Sequence, residues 1–250
     1  MTTMKRLAFA LALGLASPAA AFDLEAMTDA ERDAFRAEIR SYLMDNPQVI
    51  MEAVAVLEQR EQAAKAQNDV TLAQTYYDQL TKDGHSYVGG NPEGDITIIE
   101  FLDYRCGYCK KAFPEVEQLI AADGNIRLIV KEFPILGDES TAASAFAIAV
   151  KLVAGDAAYK DMHDTLMAYR GDFSQAALRR LAESYDLDAD AIFEQMNGDK
   201  VATIINDNRL LGQAMQITGT PTFVVQDQML RGYVPLAQMQ QIVGSIRNDG

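Results

Sequence analysis

Two cysteines three residues apart, at the point where an apolar strand turns into a helix, restrict this chain more than any other feature. They are Cys106 and Cys109, in the stretch E-F-L-D-Y-R-C-G-Y-C-K-K-A-F-P over residues 100–114, and the 250 residues hold no others. Just before them, residues 96–102 (ITIIEFL) are β-branched and almost wholly apolar, the pattern of a buried strand. The spacing predicts a helix from Gly107 towards Ala121 and a second buried strand over residues 126–133 (IRLIVKEF). Strand, helix, strand at this spacing is a βαβ unit, with a parallel pair and a right-handed crossover.

That context decides among three readings of the cysteines. A structural staple is disfavoured, because a loop of two residues loses little entropy on closure. A structural zinc site needs four ligands, and only His85 and His163 could complete a set, neither at the usual spacing, so no metal is expected. A reversible Cys106–Cys109 disulfide remains. Cys106 falls in the first turn of the helix, where unpaired N–H groups and the helix dipole favour a thiolate, the nucleophile of disulfide exchange. Cys109 lies one turn deeper on the same face and can resolve the mixed disulfide that Cys106 forms. Arg105, Lys110 and Lys111 add positive charge nearby, with solvation of the long lysine side chains as the plainer alternative. No cofactor is required by this chemistry.

The compartment follows from the other end of the chain. Lys5 and Arg6 precede an apolar run over residues 7–15, and Ala19–Ala21 supply small residues for cleavage, the three-part pattern of a secretory signal. Cleavage after Ala21 is expected, releasing an exported, periplasmic chain. Without Lys5 and Arg6 it carries 20 basic against 36 acidic residues, a net charge of −16, which argues against nucleic acid as a partner.

The exported sequence divides in two. Residues 22–84 are polar and helical in pattern, with no glycine before Gly84. Thr28 and Glu31 form a capping box, Phe35, Ile39, Tyr42 and Leu43 recur at helical spacing, and Asn46-Pro47 separates a second helix carrying Ile50, Val54 and Leu57. So narrow a stripe must pack on something, either its own domain or copies of itself. Gly84 and the cluster Gly89-Gly90-Asn91-Pro92 then mark turns. After the βαβ unit, residues 138–217 read as a helical block, followed by a strand over residues 222–225, a pairing segment over 229–233 and a closing helix over 236–246. Residues 219–223 (GTPTF) put Pro221 at the start of a buried strand, where a missing N–H is tolerated.

With E-F-x-D-Y-x-C-G-Y-C, the segment K-E-F-P-I-L-G at 131–137 and T-G-T-P-T-F at 218–223, residues 86–248 resemble the DsbA family of thiol:disulfide oxidoreductases. The resemblance implies an α/β, thioredoxin-like fold over residues 85–250 with an inserted helical domain. The arm, with N-P-x-V-I-M-E-A, is similar to the suppressor-of-copper-sensitivity C proteins, in which it is a trimerisation stalk. That implies a homo-oligomer, a trimer, built through residues 22–84. It further implies a cis bond at Pro221, with Thr220, Pro221 and Tyr108 as substrate contacts. Misfolded exported proteins and a membrane redox protein are the implied partners.

Glu100 is a charge inside an apolar run, costly unless paired or functional. The resemblance assigns such a carboxylate to proton transfer at the deeper cysteine, and Lys131 on the neighbouring strand is its expected partner. Gly107-Tyr108 replaces the Pro-His of the strongest oxidants, so less thiolate stabilisation is expected here. With Thr220 before the proline, the pattern resembles the oligomeric disulfide isomerases. The alternatives are a monomeric dithiol oxidase and, from a different class, a Cu(I)-handling thiol protein.

Overall fold

The computed structural model describes residues 25–249; the expected signal segment lies outside the described residues. The chain divides into two compact units, one ending at Gln59 and the other running from Arg60.

In the first unit, helix α1 (Asp29–Asp45) opens on Thr28, whose hydroxyl accepts from the Glu31 N–H while the Glu31 carboxylate accepts from the Thr28 N–H. Asn46 caps the end of this helix rather than the start of the next, with its N–H and side-chain amide both donating to the Tyr42 carbonyl. Helix α2 (Gln48–Thr75) follows. Along both helices the apolar residues stand exposed: Ile39, Tyr42, Met44, Ile50, Met51, Val54 and Leu57.

The second unit takes in the end of α2 and the short helix α3 (Tyr77–Thr81), ahead of the boundary expected at residue 84. The reason is packing that a turn signal does not report. Ala73 and Leu80 are buried, Asp69 pairs with Arg231 at 2.7 Å, and Lys131 reaches back to the Gln79 carbonyl at 2.8 Å. The glycine-rich cluster beyond residue 84 is likewise more than a turn, because Tyr87–Gly90 forms an edge strand, β1.

The sheet is built from β1, β2 (Ile96–Leu102), β3 (Ile126–Glu132), β4 (Thr222–Val225) and β5 (Gln228–Arg231), in the order β1-β3-β2-β4-β5. Strands β2 and β3 run parallel, joined by helix α4 (Gly107–Asp123) in the expected βαβ unit, and β4 pairs antiparallel with β2. Between β3 and β4 come four helices: α5 (Asp138–Ala168), α6 (Gln175–Ser184), α7 (Ala189–Met196) and α8 (Asp199–Ala214). Helix α5 is interrupted at Gly155, whose φ of 86° suits a residue with no Cβ. Helix α9 (Leu236–Asp249) closes the fold.

Alternation along the strands sorts side chains onto two cores. Ile96, Ile98 and Leu102 of β2 share one face with Ile126, Leu128 and Val130 of β3, covered by α4, α5 and α9. Ile99, Phe101, Ile129 and Phe133 occupy the other face with Ala73, Leu80, Leu211 and Met215. This two-sided burial is why β2 reads as a continuous apolar run.

Candidate active site

Strand β2 delivers the chain to Asp103, and the Cys106 N–H donates to the Asp103 carbonyl at 3.0 Å. Cys106 is the N-cap of α4, with φ −74° and ψ 117°, and its Sγ accepts from the Cys109 N–H at 3.4 Å. A sulfur thus takes the place an N-cap oxygen ordinarily fills, facing the open amides of the first turn. The Thr220–Pro221 bond is cis, and Cys106 Sγ lies 3.1 Å from the Thr220 carbonyl, to which it donates while it keeps its proton. Residues 114 positions apart in the sequence therefore meet at the sulfur.

Both cysteines are free thiols in this structure, and the expected Cys106–Cys109 disulfide is not formed in it. Their environments differ sharply. A hydrogen bond from the Cys109 thiol, with the backbone amides of Cys109 and Tyr108, outweighs burial and lowers the Cys106 pKa to about 5. Burial, the hydrogen bond to Cys106 and the Glu100 charge drive Cys109 the opposite way, far above the ordinary thiol range. One sulfur is a thiolate at neutral pH and the other holds its proton. Replacing Cys109 with alanine removes the S–H donor, and the Cys106 midpoint is expected to rise above about 5. Iodoacetamide alkylation rates measured between pH 3 and 9 read this directly, and an unchanged midpoint would show that the amides alone set it.

Glu100 lies on the α4 side of β2 and is fully buried, with Oε1 lacking a hydrogen-bond partner. Burial first, then the Glu117, Cys106 and Glu132 charges, raise its pKa to about 8. It is a protonated carboxyl at neutral pH, on the face that carries Cys109.

The model of the DSBA-like thioredoxin domain matches residues 97–244, more than half of the chain. The chain belongs to the DSBA-like thioredoxin family. Residues 31–64 match the N-terminal domain of copper resistance protein ScsC. A thioredoxin-like oxidoreductase from Silicibacter pomeroyi is 37% identical, with a TM-score of 0.64 over 68% of this chain and 97% of that one. ScsC from Proteus mirabilis, in a transitional conformation, is 26% identical, with a TM-score of 0.63 over 89% of this chain and 98% of that one. The Na(+)/H(+) antiporter NhaA 1 of Salinispora arenicola is 31% identical over 64% of this chain. The chain spans about a quarter, 24%, of that antiporter's length.

Within this DSBA-like domain the Glu100–Lys131 pairing is corrected. In the parallel register Glu100 stands beside Val130 and Lys131 beside Phe101. Successive strand residues point to opposite faces, so the two charges lie on opposite sides of the sheet. Lys131 instead pairs with Asp83, whose carboxyl keeps a pKa of about 2: burial works to raise it, and Lys131 and Ser86 outweigh that. Asp83 in turn lies 3.1 Å from His85.

The residue sharing Glu100's face is Glu132, which the sequence reading passed over. Its carboxylate accepts from Tyr104, Tyr159 and Ser144, each at 2.7 Å, and Tyr104 also bonds His163 Nδ1 at 2.9 Å. Burial raises the Glu132 pKa to about 7 against those three hydroxyl donors, and burial lowers His163 to about 3. Asp103 was passed over too. Fully buried, it accepts from the Arg105, Ile135 and Leu136 N–H groups and from Ser140 Oγ, tying the cysteine loop to the residues after β3. A buried Asp in the quoted motif and a Glu ending an apolar strand were the available signals.

Around the thiol, Tyr108 is 63% exposed and stacks on Tyr233 at 6.5 Å. Arg105 is paired with Glu139 at 2.9 Å. The lysines are not simply solvated, since both lie over aromatic rings.

Proposed function

We propose that this protein is a periplasmic thiol:disulfide interchange protein of the isomerase type, acting on misfolded exported chains as a homo-oligomer assembled through its N-terminal arm. The observation that carries the exchange chemistry is the Cys106 sulfur at the N-cap of α4, accepting from the Cys109 N–H, beside the Thr220 carbonyl of a cis-proline loop. The thiolate attacks a substrate disulfide, and Cys109 resolves the mixed disulfide when the substrate does not rearrange first. Thr220, Pro221 and Tyr108 border that sulfur and serve as the substrate-contacting surface. A thiolate formed at about pH 5 without a neighbouring histidine supplies the nucleophile that isomerisation needs at neutral pH.

The isomerase assignment leans on Gly107-Tyr108, on Thr220 and on the arm. Its row of exposed apolar residues matches the ScsC N-terminal domain, and such residues are stabilised by burial against copies of the same helix. Several sites facing one space raise the effective concentration of attack on a trapped chain. A membrane redox protein returns the pair to the dithiol. The Cu(I) alternative is weaker, because a second thiolate at fully buried Cys109 is expensive.

The test compares the exported chain with a form beginning at Arg60 and with the double variant Ile50→Glu, Leu57→Glu. Expected are an oligomer that reactivates scrambled ribonuclease, and monomers that retain dithiol reactivity but lose most of that isomerase activity. A monomeric, fully active exported chain returns the reading to a dithiol oxidase.

A further inference from the structure

Several cations elsewhere in the larger unit sit on carboxylates: Lys151 on Asp156, Lys160 on Glu117 and Asp164, Arg179 on Asp190, Arg247 on Asp95 and Asp123. Among the described residues, Lys110, Lys111 and Arg170 do not. Lys110 Nζ stands 5.5 Å from the centre of the Phe173 ring and donates to the Tyr169 carbonyl. Lys111 Nζ stands 4.0 Å over Tyr233, the ring that stacks on Tyr108. Arg170, one residue beyond Tyr169, is exposed and forms no ion pair among the described residues. Burial, then the Arg170 and Arg105 charges, pull the Lys110 ammonium below its ordinary pKa, so these cations lie close enough to repel one another.

The nearby acids offset this charge only in part: the Lys111 ammonium helps hold the Glu115 carboxyl below its usual range. Glu139 neutralises Arg105 alone. Glu115, one turn from Lys111, has its oxygens held by the Tyr233 hydroxyl and the Leu236 N–H, each at 2.6 Å. Rings and a backbone carbonyl therefore hold Lys110 and Lys111 in place on the helix that Cys106 caps, with no carboxylate at ion-pair distance from either ammonium among the described residues, in a chain of formal net charge −14.

We propose that the Lys110–Lys111–Arg170 rim selects disulfides flanked by carboxylates, whether in glutathione disulfide or in an acidic segment of a protein substrate. This rests on the exchange reading above. The Cys106 thiolate attacks the sulfur nearer the carboxylate, the substrate S–S bond breaks, and the departing thiolate is stabilised by the same cations. Cys109 then loses its proton and attacks Cys106 Sγ. Two electrons pass to the substrate, which leaves as two thiols, one as thiolate, while the protein becomes the Cys106–Cys109 disulfide.

The experiment measures oxidation rates of the reduced exported chain with three small disulfides. These are dithiobis(nitrobenzoate), a dianion; dithiodipyridine, neutral; and cystamine, a dication. Lys110→Gln, Arg170→Gln and their combination are compared, with Arg170→Gln as the variant whose exposed site leaves folding untouched. Dividing each rate by that for dithiodipyridine removes any change in thiolate reactivity. The dianion-to-neutral ratio is expected to fall about threefold for Arg170→Gln and about tenfold for the pair, and to fall with added salt, while the cystamine ratio rises. Glutathione disulfide and peptide disulfides with Glu or Gln flanks then separate the two sources, and rim dependence in either supports the proposal. Ratios that neither substitution nor salt moves would overturn it. Wild-type protein reacting with dithiodipyridine no faster than free cysteine would instead overturn the exchange reading itself.

Discussion

Replacing Cys106 with alanine is expected to reduce disulfide exchange to background, a loss of roughly 10³-fold or more, while Cys109→Ala accumulates stable mixed disulfides with substrate. The asymmetry follows from the two environments. Cys106 is the N-cap of α4, ionised at about pH 5, with its sulfur at the Thr220 carbonyl. Cys109 is fully buried behind it and protonated through the neutral range. Without Cys106 no accessible thiolate remains. Without Cys109 the attack proceeds, and no second thiol releases the product. Non-reducing gels and intact mass after incubation with a disulfide-bonded substrate read both outcomes. Capture by Cys106→Ala and not by Cys109→Ala would reverse the roles.

Glu100→Gln is expected to flatten the pH dependence of stability above pH 4.5. The buried carboxyl holds its proton up to about pH 8, whereas in the unfolded chain it ionises near 4.5. Because the folded-state pKa is raised, the native state is favoured below pH 4.5, and that advantage is lost as pH rises to about 8. The shift corresponds to roughly 3–5 kcal/mol, so the variant should gain stability over the parent by up to that amount between pH 4.5 and 8. The disulfide form is the one to unfold with denaturant, since Cys106 does not titrate there; without the Cys106 charge the Glu100 midpoint falls below about 8, with burial and the Glu117 and Glu132 charges still raising it. Glutamine cannot exchange a proton with Cys109, so release of mixed disulfides should also slow. Parallel pH–stability curves for parent and variant would show that Glu100 is ionised in the fold.

Much of this site could be read from residues alone because it is local. Cys106, Cys109 and the helix that opens between them are contiguous, and the apolar runs of β2 and β3 fall within a residue of their observed ends. Pro221 was legible as a strand-start proline, although its approach to Cys106 was inferred only through a family resemblance. What escaped was relative placement. Lys131 and Glu132 are neighbours in sequence and equally charged inclusions in an apolar strand. Nothing in the run says which of them faces Glu100.

Strand periodicity states that alternate residues share a face, but register against the neighbouring strand is a tertiary quantity. It puts Val130 beside Glu100, sends Lys131 to Asp83 on the opposite face, and leaves Glu132 among Tyr104, Tyr159 and Ser144. The same holds ahead of Gly84, where turn signals do not report that Ala73 and Leu80 pack within the second unit. The sequence by itself determined the chemistry of the thiol pair, the βαβ unit that presents it and the helical character of the arm, all of which depend on short-range spacing. Tertiary structure alone decided which buried carboxyls share the cysteines' face and which cations keep their charge. Those depend on side chains brought together from distant segments, and burial, more than residue type, decides what each charge costs.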